Sequence, residues 1–251
     1  MVSQEQTSSK PHSKAKITLT VVLIVVVALI VVMGVYFGDY YHAVDVDESL
    51  AGTDEVTVTE VDGGWYFDGS GTNVALIFYP GAKVEATAYA PLMLELAKTG
   101  IDCFIAEMPL NFAIFDMYAA LDFVETYDYD SWILAGHSLG GAMAASCAAE
   151  NPGVFDGLVL LAAYSTESLA DDDLWVLSLY GSEDGVLNME SVESGRDLMP
   201  EAYEEICIEG GNHALFGSYG EQDGDGQATI TAEEQQQIVV DAVCDALSQY
   251  G

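Results

Sequence analysis

The sequence predicts an α/β protein, with a mainly parallel β-sheet covered by helices on both faces and one transmembrane helix in front of it. From residue 55 onward, short runs that are apolar on both faces alternate with longer amphipathic segments. Near the N-terminus, 21 consecutive residues carry no charge. The rest of the 251-residue chain is long enough for one domain with a well-buried core.

The apolar run from Ile17 to Phe37 predicts a membrane anchor, because its length suffices to span a bilayer and exceeds a typical signal-peptide core. Three lysines precede the run and several acidic residues follow it. By the positive-inside rule, residues 1–16 stay cytoplasmic and the rest is extracytoplasmic. A cleaved signal peptide is the alternative. Residues 38–54 are expected to form an acidic linker, and residues 55–251 the globular domain.

The globular part opens with a predicted β-hairpin, because Gly63-Gly64 separates the alternating run 56–59 from the aromatic run 65–67. Thr231 and Glu234 form a capping-box pattern that predicts a C-terminal helix to about Gln249. Further buried strands are predicted at 73–79, 101–106, 131–135, 157–162, 174–180 and 203–208. Further helices are predicted at 89–98, 112–127 and 140–149, with a short one that includes 196–199.

Charge excludes some partners. The formal net charge is −35, and because residues 1–37 carry +2 (three lysines against Glu5), the remainder carries −37. A surface with this much negative charge repels nucleic acid and anionic lipid head groups. Neither is therefore expected as a partner of the domain. The charge is best explained by solubility in salty or acidic surroundings, and steering of cationic substrates is the alternative. The oligomeric state stays open.

The four cysteines, Cys103, Cys147, Cys207 and Cys244, lack the close spacing of a zinc site or a thioredoxin-like motif. Each lies in an apolar segment, so that buried free thiols are expected. An oxidising compartment would permit a disulfide, and the spacing leaves that open.

Residues 136–140, GHSLG, match the pattern G-x-S-x-G, with Ser138 at its centre. The pattern alone is weak, but here it lies between an apolar strand and a small-residue helix. A nucleophilic serine needs this context, because it stands on a sharp strand-to-helix turn that flanking glycines make possible. Ser138 is therefore the candidate nucleophile, and an ordinary serine in a tight turn is the alternative.

A serine needs a base, and the chain has four histidines. His12 precedes the membrane segment and His42 lies in the predicted linker, while the side chain of His137 should diverge from that of its neighbour Ser138. His213 remains, in a glycine-rich loop after the last predicted strand, where sites of such sheets form. A surface histidine in that loop is the alternative.

The acid that orients the base is expected at Asp184, in the turn that follows the predicted strand 174–180. Glu183 is a rival, and Asp171 to Asp173 are more remote ones. A solvated turn aspartate is the alternative. Two backbone N–H groups should bind the developing oxyanion: that of Leu139, directly after the nucleophile, and that of Ala82, in the loop after strand 73–79.

Four blocks carry a family resemblance: NVALIFYPGAKVEATAYAPL, SWILAGHSLGGAMAA, LYGSEDG and IEGGNHALFGSYGEQDGDG. They resemble a compact bacterial α/β-hydrolase family related to the dienelactone hydrolases, over about residues 56–247. The resemblance implies the α/β-hydrolase fold with an eight-stranded sheet, and triad roles for Ser138, Asp184 and His213. Dienelactone hydrolases use a cysteine nucleophile, so their substrate is not transferred. The loop at Pro80-Gly81 also lacks the His-Gly start of many esterases.

No cofactor or metal is expected. The loop 219–229 holds Asp223 and Asp225, which faintly suggest calcium, but the glutamate of an EF-hand is replaced by Ala232. An acidic turn that braces the histidine loop is the preferred interpretation.

The expected activity is hydrolysis of carboxylic esters through an acyl-enzyme on Ser138, with His213 as the base. Only about a dozen residues (163–173) stand where lidded lipases insert a cap, so the site should be open and should favour small or flexible esters. An amidase or peptidase with the same triad and a catalytically silent surface-binding domain are the alternatives.

Overall fold

A computed structural model describes residues 12–71 and 73–251. The chain forms two compact units, with the boundary between Asp39 and Tyr40. The first unit is helix α1 (His12–Gly38), whose part Thr18–Gly38 is long and apolar enough to cross a membrane. The predicted membrane segment, 17–37, therefore coincides with a helix. Of the predicted cytoplasmic stretch 1–16, residues 1–11 lie outside the described residues.

The second unit is built on one eight-stranded sheet with the spatial order β1-β2-β4-β3-β5-β6-β7-β8. β1 and β2 form the predicted antiparallel hairpin, and all pairs from β4 to β8 are parallel. The strands are β1 (Thr57–Val61), β2 (Gly64–Asp68), β3 (Val74–Tyr79), β4 (Asp102–Ala106), β5 (Ser131–His137), β6 (Gly157–Leu161), β7 (Trp175–Gly181) and β8 (Tyr203–Ile208).

Helices cover both faces of the sheet, as the two-sided apolar strands predict. The helices of this unit are α2 (Asp47–Leu50), α3 (Ala90–Lys98), α4 (Ala119–Thr126), α5 (Leu139–Glu150), α6 (Met189–Gly195) and α7 (Ala232–Tyr250). Alternate residues of β3 enter different cores: Leu76 packs in the core that includes α3 and α7, and Ile77 in the core that includes α4 and α5. The predicted α/β-hydrolase architecture is confirmed, including the capping box at Thr231.

The predicted helix 112–127 is shorter than expected, because α4 begins only at Ala119. Residues 109–115 form two short 3-10 turns instead. Within the predicted range, Phe112 (φ −136°, ψ 114°) and Asp116 (φ −150°, ψ 64°) have non-helical backbone angles, and the preceding Leu110 and Asn111 both have positive φ, 56° and 59°. Apolar residues at helical spacing do not reveal such a backbone turn.

Residues 40–54, predicted to be a linker, pack onto the globular unit. Val46 is buried in the core that includes α3, and Leu50 of α2 packs against it. The Tyr41 N–H donates to the carbonyl of Lys83, and the Glu85 N–H donates to the carbonyl of Tyr41. The apolar residues spaced between the acids of this segment explain why it adheres, and the globular unit begins at residue 40 rather than 55.

All four cysteines are free thiols. Cys103 and Cys147 are buried, as expected, whereas Cys244 is partly buried and Cys207 is exposed. Cys207 is exposed because it lies on β8, an edge strand of the sheet.

Candidate active site

Ser138 stands on a strained turn between β5 and α5. Its φ of 53° and ψ of −123° are unfavourable for a residue with a side chain. Neighbouring glycines let the backbone fold this tightly: a Cβ at Gly136 would lie 2.6 Å from the backbone of Gly140, and one at Gly140 would lie 2.2 Å from the carbonyl oxygen of Tyr79. This is the strand-to-helix geometry that the G-x-S-x-G pattern predicts.

His213 and Asp184 form a buried pair at the carboxyl ends of β8 and β7. The Nδ1 atom of His213 lies 2.8 Å from Oδ2 of Asp184, and the two side chains are 1% and 2% exposed. The other carboxylate oxygen, Oδ1, accepts the N–H groups of Val186 and Leu187. These bonds fix the carboxylate against the imidazole, so that Nδ1 carries the proton and Nε2 is left free to accept one.

The rival acids lie elsewhere. The carboxylate of Glu183 is exposed and bonds the hydroxyl of Ser182. Residues 171–173 precede β7, so they lie at the amino ends of the parallel strands, whereas the loops of Ser138 and His213 lie at the carboxyl ends. The structure pairs Asp184, and neither rival, with His213.

The loop of His213 is held by two side chains from other segments. Gln235 of α7 is fully buried, and its amide bonds both the N–H and the carbonyl of Asn212. Asp225 accepts the N–H groups of His213 and Ala214 and also that of Gly185, next to Asp184. Asp225 thus ties the loop of His213 to the turn of Asp184.

Ser138 and His213 line one cavity of about 250 Å³ at this edge of the sheet. Its other walls are mostly apolar: Leu139, Ala142, Ala162, Tyr164, Val186, Leu187 and Asn188. The Nε2 atom of His213 is buried and has no hydrogen-bond partner among the described residues. Ser138 and His213 thus line one cavity without a hydrogen bond between them, and catalytic hydrogen bonds are often long in unliganded enzymes.

The two predicted oxyanion donors make no hydrogen bond among the described residues. Neither the N–H of Leu139, at the start of α5, nor that of Ala82 donates to an acceptor among the described residues. By contrast, the N–H of the adjacent Gly81 donates to the hydroxyl of Tyr89, at 3.1 Å. The loop of Ala82 and the start of α5 are in close contact, because a Cβ at Gly140 would meet the carbonyl of Pro80 at 2.3 Å.

Two residues of the site were missed by sequence reasoning. The ring of His137 lies 4.5 Å from that of His213, and its Nδ1 atom lies 2.8 Å from the Tyr89 hydroxyl. Burial, and then the neighbouring His213, lowers the pKa of His137 well below its ordinary value, so that this ring is neutral. No pattern in the sequence links Tyr89 to His137; only the position of His137 beside Ser138 could have drawn attention to it.

Among the described residues, no group of three or more histidine, cysteine or acidic side chains is placed to hold a metal. At the faintly calcium-like loop, the Asp225 oxygens accept backbone N–H groups, which is the role of a brace. Asp223 contributes its own N–H to the Tyr41 hydroxyl.

Solved structures with low sequence identity share this fold. The alpha/beta hydrolase domain-containing protein 10 from mouse aligns with a TM-score of 0.58 and 12% identity, over 78% of this chain and 100% of that chain. Est1E from Butyrivibrio proteoclasticus aligns with a TM-score of 0.54 and 13% identity, over 78% and 100%. At such identities the likeness concerns the fold alone.

At the sequence level, a protein of Mycobacterium phage D29 named "Putative non-heme haloperoxidase" is 30% identical over 112 residues, which are 41% of this chain and 40% of that protein. The chain thus matches less than half of the length of this relative. The family model described as "Alpha/beta hydrolase family" matches residues 75–237, well over half of the chain and the whole span from β3 into α7. The protein therefore belongs to the alpha/beta hydrolase family.

Proposed function

We propose that this hydrolase is a membrane-anchored serine esterase that cleaves small carboxylic esters through an acyl-enzyme. The observation that carries the proposal is the buried Asp184–His213 pair, because its Nε2 atom has no hydrogen-bond partner among the described residues and His213 lines the same cavity as Ser138. A serine on a strained turn beside such a pair has the parts that nucleophilic catalysis requires.

In the proposed mechanism, Nε2 of His213 takes the proton of the Ser138 hydroxyl as its oxygen attacks the ester carbonyl. Asp184 stabilises the imidazolium that forms, and the N–H groups of Leu139 and Ala82 bind the oxyanion. Collapse of the tetrahedral intermediate expels the alcohol, which receives the proton from His213. Water, activated by His213, then releases the acid from Ser138.

The cavity supports a preference for short acyl groups. At about 250 Å³ it lies below the ~300–1000 Å³ of pockets for drug-sized ligands. Its walls beside Ser138 are apolar, formed by Leu139, Ala142, Ala162 and Leu187. An acetyl or butyryl group would find apolar contact there, whereas a long fatty acyl chain would have to leave the cavity.

The test uses the full chain in detergent with p-nitrophenyl acetate and a fluorophosphonate probe. Ser138→Ala should abolish both ester turnover and labelling, whereas Ser248→Ala, an exposed serine on α7, should change neither. Retained turnover in Ser138→Ala would refute the proposal. A wild-type chain that reacts with neither reagent would favour a silent binding domain, and cleavage of the matched anilide at a rate comparable with that of the ester would favour an amidase.

The proposed location is a single-pass membrane protein with its hydrolase domain outside the cytoplasm. The apolar part of helix α1, Thr18–Gly38, supports this proposal, together with the three lysines that precede it in the sequence. Carbonate washing should leave the full chain in the membrane, and protease added to right-side-out vesicles should reach the hydrolase domain. Release by carbonate would contradict the anchor, and protection from the protease would contradict the orientation.

A further inference from the structure

Tyr89 lies under the loop that holds the oxyanion donor Ala82. Its hydroxyl accepts the N–H of Gly81, at 3.1 Å, and lies 2.8 Å from Nδ1 of His137. Tyr89 is fully buried, and burial raises the pKa of its hydroxyl, so that the group stays protonated. In such a dry environment each hydrogen bond is hard to replace with water.

The Gly81 N–H can only donate, so the Tyr89 hydroxyl accepts that bond. The single hydrogen of this hydroxyl finds an acceptor among the described residues at Nδ1 of His137, so we assign the hydroxyl as the donor. This assignment places the proton of the neutral ring on Nε2, which has no hydrogen-bond partner among the described residues. The result is a one-way chain of hydrogen bonds from the Gly81 N–H through Tyr89 to His137.

The loop rests directly on this pair of side chains. A Cβ at residue 81 would lie 2.8 Å from Nδ1 of His137 and 3.0 Å from the Tyr89 hydroxyl, so that only glycine fits. His137 precedes Ser138 in the chain, and its ring also packs against that of His213, at 4.5 Å. Contacts to the oxyanion loop, the nucleophile turn and the base thus converge on one buried imidazole.

We propose that Tyr89 and His137 are positioning residues, which hold the Gly81 N–H inward so that the N–H of Ala82 faces the substrate carbonyl. This inference rests on the proposed esterase function. It also explains why the oxyanion donor is Ala82 rather than Gly81: the N–H of Gly81 is already used. Neither Tyr89 nor His137 lines the cavity beside Ser138, so both act through the loop.

The first test compares two tyrosine variants of the full chain. Tyr89→Phe removes the hydroxyl that bonds Gly81, whereas Tyr219→Phe removes the hydroxyl of a neighbouring buried tyrosine that bonds Gln222. Because a misplaced oxyanion donor weakens binding of the transition state and not of the ester, kcat of Tyr89→Phe should fall about 10- to 100-fold at an unchanged KM. Tyr219→Phe should keep the wild-type kcat.

The second test stands even if Tyr89→Phe does not fold. His137→Asn places an amide oxygen near the position of Nδ1, whereas His137→Leu has a similar volume and no acceptor. The Asn variant should retain most of kcat, and the Leu variant should lose about tenfold or more at a similar melting temperature. Equal losses in these two variants, or equal kcat in the two tyrosine variants, would overturn the inference.

Ser138→Ala separates this inference from the function on which it rests. If Ser138→Ala is inactive while Tyr89→Phe matches Tyr219→Phe, the esterase stands and the positioning role falls. If Ser138→Ala retains turnover, the esterase proposal and the inference fall together.

Discussion

The turn of Ser138 and the loops of Asp184 and His213 share one kind of support and differ in another. Both contain close-packed glycines: no Cβ would fit at Gly136 or Gly140 beside Ser138, nor at Gly181 or Gly226 beside Asp184. The loop of His213 is held in addition by polar side chains, since Asp225 and Gln235 bond its backbone from other segments. The histidine side therefore also depends on hydrogen bonds that mutation can remove one at a time.

The largest expected effect is on the polar side. Asp184→Asn should lower kcat about 10⁴-fold, as in serine proteases, because the amide favours the wrong histidine tautomer. The fold should persist, since the Asn oxygen can still accept the N–H groups of Val186 and Leu187. Ester turnover and the melting temperature measure the two effects. Glu183→Gln, at the exposed neighbour, is the control and should keep the wild-type kcat; a comparable loss there would contradict the pairing of Asp184 with His213.

On the packed side, Gly140→Ala should damage the fold itself. The new Cβ would lie 2.2 Å from the carbonyl oxygen of Tyr79, and relieving this clash would require a shift of the β3 or α5 backbone. The free energy of unfolding should fall by about 3 kcal/mol or more, at the upper end of the usual cost of overpacking. Urea titration followed by tryptophan fluorescence measures it.

Gly195→Ala is the control for this packing effect. Its Cβ would meet the Ser165 carbonyl oxygen at 3.4 Å and the Tyr164 Cβ at 4.0 Å, which are ordinary contacts, and its φ is −71°. It should unfold within ~1 kcal/mol of the wild type. If Gly140→Ala were equally well tolerated, the turn of Ser138 would not be held by packing.

Asp225→Asn should have a smaller effect that falls on both kcat and stability. One of its carboxylate oxygens accepts the N–H groups of Gly185 and His213, and the other accepts that of Ala214. An amide has only one oxygen, so the NH2 group of the Asn variant would face at least one of these N–H donors. We expect kcat to fall by about 10- to 100-fold, because the acid and the base lose their common support.

Asp223→Asn makes the same charge change two residues earlier and should be nearly neutral in the esterase assay. Added calcium should not restore the Asp225→Asn variant. Recovery with calcium would instead show that the loop binds a cation and does not act as a brace.

The smallest effect concerns pH. Glu205 of β8, the strand that leads to the His213 loop, accepts two hydrogen bonds from Arg196, and chiefly this contact lowers its pKa from 4.5 to about 2. A lowered pKa in the folded state adds stability that is present above pH 4.5 and is lost as the pH falls toward 2. Arg196→Met should therefore lower the melting temperature at pH 7 and have little effect near pH 2. A difference from the wild type that is the same at both pH values would contradict the ion-pair explanation.

The same contrast explains what could be predicted from the sequence. The nucleophile turn obeys local steric rules that glycine spacing records, and the strands of a doubly covered sheet are plain from their apolar runs. The support of the histidine loop is not local: Gln235 and Asp225 are separated from His213 by 22 and 12 residues, and nothing in the spacing marks them as its partners. Sequence reasoning did favour a brace over a calcium site in the loop of Asp225, but it did not find the bond to Gly185.

The segment 40–54 was misinterpreted for a related reason. Its acidic residues suggested a solvated linker. However, Val46 and Leu50 pack in the core that includes α3, and the backbone of Tyr41 forms a parallel β-bridge with Val84. Such docking depends on the shape of the receiving surface, which spacing in the sequence does not record. The left-handed turn at Leu110 and Asn111 was not predicted for a similar reason. The carbonyl of Asn111 accepts the N–H of Lys83, which is distant in the sequence.

The docked segment has a consequence for the proposed membrane anchoring, because proteolysis near it would release the globular unit. A protease that cut between Gly38 and Tyr40 would release the hydrolase with Tyr41 still bonded beside Val84 and with Val46 still in the core. A cut after Gly52 would strip both from the released piece and uncover the backbone next to Lys83, one residue from Ala82. The position of the cut would thus decide whether the released fragment keeps its activity.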